Sequence, residues 1–327
     1  MRVVIDAMGG DHAPQAVLDG VRLALQAEPD LQLILTGLAE VVCPIAEEFP
    51  QQIEAVPTTE IISMDDAPAE AIRIKKDSSI VVGCKLVAEG QAAGFFSAGS
   101  TGAVMTAATL VMGRIKGISR PMIIGLLPTI TGGWVAFGDI GANSDVKAEY
   151  LLQYALMGEA YARIIMGINV PRVGLLNIGE EASKGNDLAR QAYQLLSQEL
   201  DGFVGNAEGT DIMSGRFDLI VTDGFTGNVV LKTIEGVASM LFGGLKEVMT
   251  ASLPSKLAAA VIKPGLSDLK KKLSADDVGG APLLGVRGSC LIGHGSSSPK
   301  AIANGILATD QAIRLGLNTA IAEAVSI

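Results

Sequence analysis

Short apolar runs recur along this chain, most ending in a glycine-rich loop and leading into a longer helical pattern. That alternation limits the possible folds more than any other feature. "RVVID" leads to a helix near Pro14, "LQLILTG" to one over 38–48, and "GFFSAG" to "STGAVMTAATLVMG". "RVGLLNIG" precedes a helix over about 186–200, "FDLIVTDG" a long helix from about Gly227, and "SCLIGHG" a helix opened by Ser298 and Pro299. Strand followed by helix, repeated, predicts an α/β fold with a mainly parallel sheet and helices on both faces. "PMIIGLLPT" and "GWVAFGDIG", joined by the short turn "ITGG", predict a hairpin and so a mixed sheet. No fixed repeat or low-complexity linker divides residues 1–327, so a single α/β catalytic domain is expected.

The 49% hydrophobic content is rich in Ala, Val, Ile and Leu and can fill such a core. A net charge of −10 argues against broad nucleic-acid binding, which needs a basic surface. Cys43, Cys84 and Cys290 are far apart with no CxxC spacing, so neither disulfides nor structural zinc is expected, and a reducing cytosol fits. Cys290 lies in the apolar run "SCLIG" and is expected to be buried and inert. "MRVVIDAMGG" enters a strand directly, so no signal peptide is expected. Apolar stretches run about a dozen residues where a spanning helix needs about 20, so a soluble protein is expected.

Residues 246–272 differ from the rest. Six lysines against Glu247 and Asp268 give a local charge of +4. Within it, "LPSKLAAAVIKPG" puts Leu253, Leu257, Ala260 and Val261 on one helical face flanked by Lys256 and Lys263. The pattern suits a helix packed on its own core or on a partner subunit, or an amphipathic element at a membrane surface.

In a doubly wound sheet, ligands bind beyond the carboxyl ends of the strands. The clusters "DAMGGDHAP", "SAGSTGA", "DIGANSD", "NIGEEASKGND", "TDGFTGN" and "GHGSSSPK" fall there. Glycine lets backbone N–H groups approach an anion, and a following helix presents its positive end. Neither GxGxxG after a strand nor GxxxxGK[ST] occurs, which weighs against dinucleotide and P-loop sites. GxSxG is absent too. His12 and His294 each sit in a glycine-rich loop without metal-ligand spacing, and no metal is expected. Lys184 suits either a phosphate contact or a solvated loop; Asn228 suits either an oxyanion donor or an N-cap.

Taken together, "MRVVIDAMGGDHAP", "DAPAEAIRIKKDSSI", "SAGSTGA", "NIGEEASKGN", "TDGFTGNVVLKTIEG" and "LLGVRGSCLIGHGSS" resemble the bacterial phosphate acyltransferases over essentially the whole chain. The resemblance implies transfer of a long-chain fatty acyl group from acyl-acyl-carrier-protein to inorganic phosphate at the start of phospholipid synthesis. It implies a three-layer α/β/α fold, similar to isocitrate dehydrogenase and phosphotransacetylase. It also implies a cytosolic homodimer, without cofactor, held peripherally at the membrane and feeding a membrane glycerol-3-phosphate acyltransferase. Residues 237–275 would be a protruding helical hairpin, with Leu253, Lys256, Leu257, Val261 and Lys263 meeting membrane or the acidic carrier protein.

On this reading the mechanism needs no triad. Phosphate is already an anion at pH 7, and a pantetheine thiol leaves without strong acid help, its pKa being near ~8.5. Lys184 is expected to orient phosphate and Asn228 to donate to the oxyanion. Gly99, Ser100, Thr101 and Gly102 would cradle phosphate with Gly293, Gly295, Ser296 and Ser297. His294 would donate to phosphate or to the departing thiolate. Asp6, Asp11 and His12 would order the loops around the site. Arg73, Lys75 and Lys76 fit either a cleft entrance or a solvated helix face. An acyl-CoA-dependent transacetylase, a non-catalytic carrier-binding scaffold and an NAD-dependent decarboxylating dehydrogenase stay open as rival readings.

Overall fold

The computed structural model describes residues 1–252, 254–256, 259, 261–262, 265 and 279–326. Among them, eleven strands form one sheet in the order β3-β2-β1-β4-β11-β10-β5-β6-β9-β7-β8. The strands are β1 (Arg2–Asp6), β2 (Gln32–Gly37), β3 (Ile53–Pro57), β4 (Gly94–Ser97), β5 (Met122–Pro128), β6 (Trp134–Gly138), β7 (Val173–Leu176), β8 (Phe203–Ala207), β9 (Leu219–Val221), β10 (Ala281–Leu284) and β11 (Ser289–Ile292). The first half, from β3 to β11, is parallel throughout. So is the second, from β6 to β8. Between them, β11–β10, β10–β5 and β5–β6 pair antiparallel, so the two halves run in opposite senses. The expected hairpin is β5–β6. β10 carries no readable signal, being four residues of "APLL".

Side chains alternate across the strands, and both faces are buried in all but the edge strands β3 and β8. Val3 and Ile5 enter one apolar cluster while Val4 enters another, as do Phe96 and Phe95. This two-sided burial is what parallel sheets require. In the first half, α1 (Gln15–Ala27), α2 (Ala39–Glu48) and α9 (Pro299–Arg314) cover one face. The other is covered by α3 (Pro68–Ile74), α4 (Ser79–Ala88) and α5 (Thr101–Ala107), which continues as a π turn over Ala108–Met112. In the second half, α6 (Ala148–Ile164), α7 (Asp187–Glu199) and α10 (Leu317–Ala324) pack on one face. Val230, Leu231 and Ile234 of α8 (Gly224–Thr250) pack on the other. The architecture is a three-layer α/β/α.

Local signals set the helix starts. Ser298 Oγ accepts from the Ala301 amide with Pro299 at the first position, and Asn186 caps α7. α8 starts at Gly224, not Gly227, because the Asp223 carboxylate accepts from the Thr226 amide and already caps it. Past residue 237, α8 continues unbroken to Thr250. The expected second arm of the hairpin lies largely outside the described residues, as do Leu253, Leu257 and Lys263; Lys256 is exposed and Val261 is 80% exposed.

Candidate active site

The order β1-β4-β11 sets three strand ends side by side. Their loops form the first group. Asp6, the last residue of β1, is 1% exposed. Its carboxylate accepts from the Met8 amide at 3.0 Å and from Ser97 Oγ at 2.6 Å. Ser97 Oγ in turn accepts from the Gly99 amide at 3.0 Å. Asp6 thus orients the start of the Gly99–Gly102 loop through one hydroxyl. Burial pushes the Asp6 carboxyl up, partly offset by hydrogen bonds from Ser79 and Ser97. Gly9 is required here, since a Cβ on it would lie 2.4 Å from the Asp6 carboxylate and 2.7 Å from the Gly99 nitrogen.

The Asp11 amide donates to the Gly295 carbonyl at 2.8 Å, tying the first loop to the last. Asp11 and His12 themselves are exposed. Ser100 is buried at the N-terminus of α5, with Thr101 exposed and Gly102 beside Pro68 of α3. In the loop after β11, Ser297 is buried and its amide donates to the His294 carbonyl. The Ser296 amide donates to His294 Nδ1 at 3.3 Å. Ser296 Oγ lies 2.9 Å from the same nitrogen; an amide only donates, so in this contact Nδ1 accepts and Nε2 is the nitrogen left to carry an N–H. His294 is exposed, leaving that N–H available.

The order β6-β9-β7 builds a second group from "DIGANSD", "TDGFTGN" and "NIGEEASKGND". Its organiser is Asp139, at 0% exposure. Oδ1 accepts from the amides of Ile123, Gly141 and Ala142, and Oδ2 from the Asn143 amide and side chain. Burial pushes this carboxyl up, and those donors pull it back. Beneath it, burial and then the Asp139 charge push the Tyr154 phenol up. The Asn143 carbonyl accepts from the Gly224 amide, joining the loop to α8. Asn228, the fifth residue of α8, is exposed, and its side-chain amide has no hydrogen-bond partner among the described residues. A Cβ on Gly141 would lie 3.8 Å from Asn228 Cβ and Cγ. Lys184 is half-exposed, its Nζ 3.9 Å from Glu181. Its loop is tied down by Asn177 donating to the Lys184 carbonyl and Asn206 to that of Glu181.

The structure therefore gathers Asp6, Asp11, His12, Gly99–Gly102 and Gly293–Ser297 on one set of strand ends, and Lys184 and Asn228 on another. No hydrogen bond or ion pair joins the two groups among the described residues. Sequence reasoning missed Ser97, Asp139 and Asn143 as site builders. Their loops carry glycine signals, but their partners are backbone amides or residues far along the chain. Lys75 is committed to Asp66 and to the Ile61 carbonyl, while Arg73 and Lys76 are exposed. Cys84 and Cys290 are buried; burial pushes the Cys290 thiol up to about 12. Among the described residues no group of three or more His, Cys, Asp or Glu is placed to hold a metal ion, and no helix is long and apolar enough to cross a membrane.

This architecture is shared with acyl-transferring enzymes of known structure. A phosphotransacetylase from Streptococcus pyogenes superposes with a TM-score of 0.62 at 19% identity, over 100% of this chain and 94% of that one. A branched-chain phosphotransacylase from Enterococcus faecalis V583 gives 0.59 at 15% identity, over 96% and 99%. At such identities the likeness is one of fold. Sequence goes further. The family model described as fatty acid synthesis protein matches residues 1–320. A phosphate acyltransferase from Desulfitobacterium hafniense (strain DSM 10664 / DCB-2) is 49% identical over 97% of this chain and 95% of its own length. One from Bacillus subtilis (strain 168) is 45% identical over 94% and 92%. The chain belongs to the phosphate acyltransferase family of fatty acid synthesis proteins.

Proposed function

We propose that this protein is an acyltransferase that moves a long-chain fatty acyl group from the thioester of acyl-acyl-carrier-protein to inorganic phosphate. The observation that carries the reading is the near-full-length identity of 49% to a phosphate acyltransferase, on a chain whose β1, β4 and β11 loops converge. A phosphate oxygen attacks the thioester carbonyl carbon, a tetrahedral oxyanion forms, and the C–S bond breaks to give acyl phosphate and carrier thiol. The amides and hydroxyls of Gly99–Gly102 and Gly293–Ser297 hold the phosphate. His294 Nε2–H donates to phosphate or to the departing sulfur. Lys184 neutralises phosphate charge and Asn228 donates to the oxyanion. Holding the reactants together is worth on the order of 7 kcal/mol or more. One oxyanion donor is worth about 3 kcal/mol.

Both loop groups serve one cleft in this reading. The right-handed twist of the sheet, about 20–25° at each neighbouring strand, is what would carry the two groups to a common cleft. A homodimer, peripheral membrane attachment and delivery of product to a membrane glycerol-3-phosphate acyltransferase complete the proposal. The membrane part is supported by exposed Val237, Met240, Leu241, Leu245 and Val248 along α8.

The test is to incubate the protein with long-chain acyl-acyl-carrier-protein, with and without inorganic phosphate, and measure free carrier thiol. Phosphate-dependent release, with acyl phosphate trapped by hydroxylamine, is the expected result. Carrier binding without release sinks the enzyme reading. Faster turnover of acyl-CoA than of the carrier substrate sinks the assigned donor. Lys184→Ala and Asn228→Ala should each lower kcat by about 100-fold in folded protein. Normal turnover in both removes their assigned roles.

A further inference from the structure

Asp139 does more than the fold asks of it. A buried carboxylate is expensive unless its lone pairs are filled, and an apolar loop could have closed the end of β6 without it. Here five hydrogen bonds converge on one side chain. Four backbone amides and the Asn143 side chain point at it, from β5 on one side and from the loop over residues 141–143 on the other. The helix it faces does not need Asp139 as a cap, because Asp223 already holds the Thr226 amide and hydroxyl.

What Asp139 fixes is the seat of α8. Its own amide donates to the Thr222 carbonyl at 3.0 Å, and the Asn143 carbonyl accepts from Gly224 at 2.8 Å. The contact is backbone on backbone: a Cβ on Gly227 would fall 1.8 Å from the Asp139 carbonyl oxygen. Asn228 follows directly, facing Gly141, whose amide is one of the donors to Asp139. The wall behind Asn228 is thus the turn that the Asp139 carboxylate folds. The Asn228 side chain has no hydrogen-bond partner among the described residues, so only this seating aims its amide.

We infer that Asp139 is a positioning residue for acyl transfer: by pinning the Gly141–Asn143 turn against the first turn of α8, it sets the direction of the Asn228 amide. The inference rests on the proposed function, in which Asn228 donates to the oxyanion. A donor that acts only in the transition state shows in kcat rather than in KM. A residue that acts through that donor shows in kcat too, and has nothing left to act on once the donor is gone.

The experiment is a double-mutant cycle on the full-length protein with acyl-acyl-carrier-protein and phosphate. The variants are Asp139→Asn, Asn228→Ala and the double substitution, with thermal melts to check folding. Asp139→Asn keeps the size but replaces one acceptor by a donor facing other donors. Its kcat should fall about 10-fold or more, with both KM values within about twofold. The double variant should turn over no more slowly than Asn228→Ala. Independent, multiplying losses overturn the inference. Wild-type kcat in folded Asp139→Asn beside an impaired Asn228→Ala also overturns it, while leaving the proposed function standing. Full turnover in Asn228→Ala removes the oxyanion role and the inference with it. Should Asp139→Asn fail to fold, Asn143→Ala takes its place in the cycle, since it deletes only one side-chain donor to Asp139 and the link to the Pro121 carbonyl. It should give a smaller kcat loss that likewise vanishes in the Asn228→Ala background.

Discussion

The two halves of the sheet solve one problem with two different connections. Each has a buried aspartate where a strand gives way to its loop, Asp6 closing β1 and Asp139 following β6, and each uses that carboxylate to organise the loop beyond. Asp6 takes the Met8 amide directly but reaches the Gly99–Gly102 loop at one remove. It holds the Ser97 hydroxyl, and the hydroxyl holds the Gly99 amide. Asp139 works directly, on backbone amides from two elements. The first arrangement depends on a neighbouring hydroxyl as well as on close backbone at Gly9; the second depends on close backbone and has no side-chain relay. The first half should therefore be broken by deleting a hydroxyl, and the second by adding a methyl group.

The largest effect is expected from that methyl group. In Gly227→Ala the new Cβ meets the Asp139 carbonyl oxygen at 1.8 Å and its carbon at 2.9 Å, and neither is the end of a flexible side chain. α8 must lift from its seat, at a cost at the top of the roughly 1–3 kcal/mol range for overpacking or beyond it. Turnover should be lost along with stability. Gly236→Ala, in the same helix with nothing within 4 Å, should instead gain about 0.5–1 kcal/mol from helix propensity. Paired thermal melts check this. If both substitutions shift the melting temperature the same way, α8 is not seated by backbone contact. Next in size is Ser97→Ala, which leaves a buried carboxylate one donor short and frees the Gly99 amide. About 1–3 kcal/mol of stability should go, with a raised KM for phosphate. An unchanged phosphate KM would mean that Ser97 does not connect Asp6 to the cradle.

The contrast also explains what the amino-acid order made legible. Strand ends were readable because apolar runs stop at glycine clusters, and the α9 start because Ser298 and Pro299 fit its first turn. Asp6 stood out beside Gly9, Gly10 and His12, so an ordering role for it could be expected. Asp139 did not, since its partners are almost all backbone amides, and every residue but proline has one. A side-chain relay such as Asp6–Ser97 spans 91 positions and leaves no local trace either. β10 escaped for a different reason: four residues are too few for any periodicity, and only its neighbours β11 and β5 make it a strand. α8 starts three residues before the expected Gly227 because Asp223 does the capping. The amphipathic reading of 253–263 rested on side chains largely outside the described residues, whereas exposed Met240, Leu241 and Val248 continue the apolar character along α8 itself.

The smallest expected effect sets Asp6 against an aspartate held in the opposite way. Burial raises the Asp6 carboxyl above its ordinary value. The folded protein therefore binds that proton more tightly than the unfolded chain does. The stability this contributes is complete below the ordinary carboxylate range, near ~3.9, and is lost as pH rises through the raised folded value. For Asp218, burial also pushes upward, but hydrogen bonds and charge from Arg172 outweigh it and hold the carboxyl below its ordinary value. Its contribution is present above ~3.9 and is lost as pH falls through the lowered value. Asparagine does not titrate. The stability deficit of Asp6→Asn relative to the natural chain should therefore shrink as pH rises from about 3 to about 7, and that of Asp218→Asn should grow over the same window. For Asp218 the growth should stay within about 0.2–1 kcal/mol, because solvent screens the ion pair. Urea unfolding of the three proteins across that window measures both trends. Deficits that move in the same direction would mean that burial does not govern Asp6, and the case for a costly carboxylate kept to order the phosphate loop would lose its physical basis.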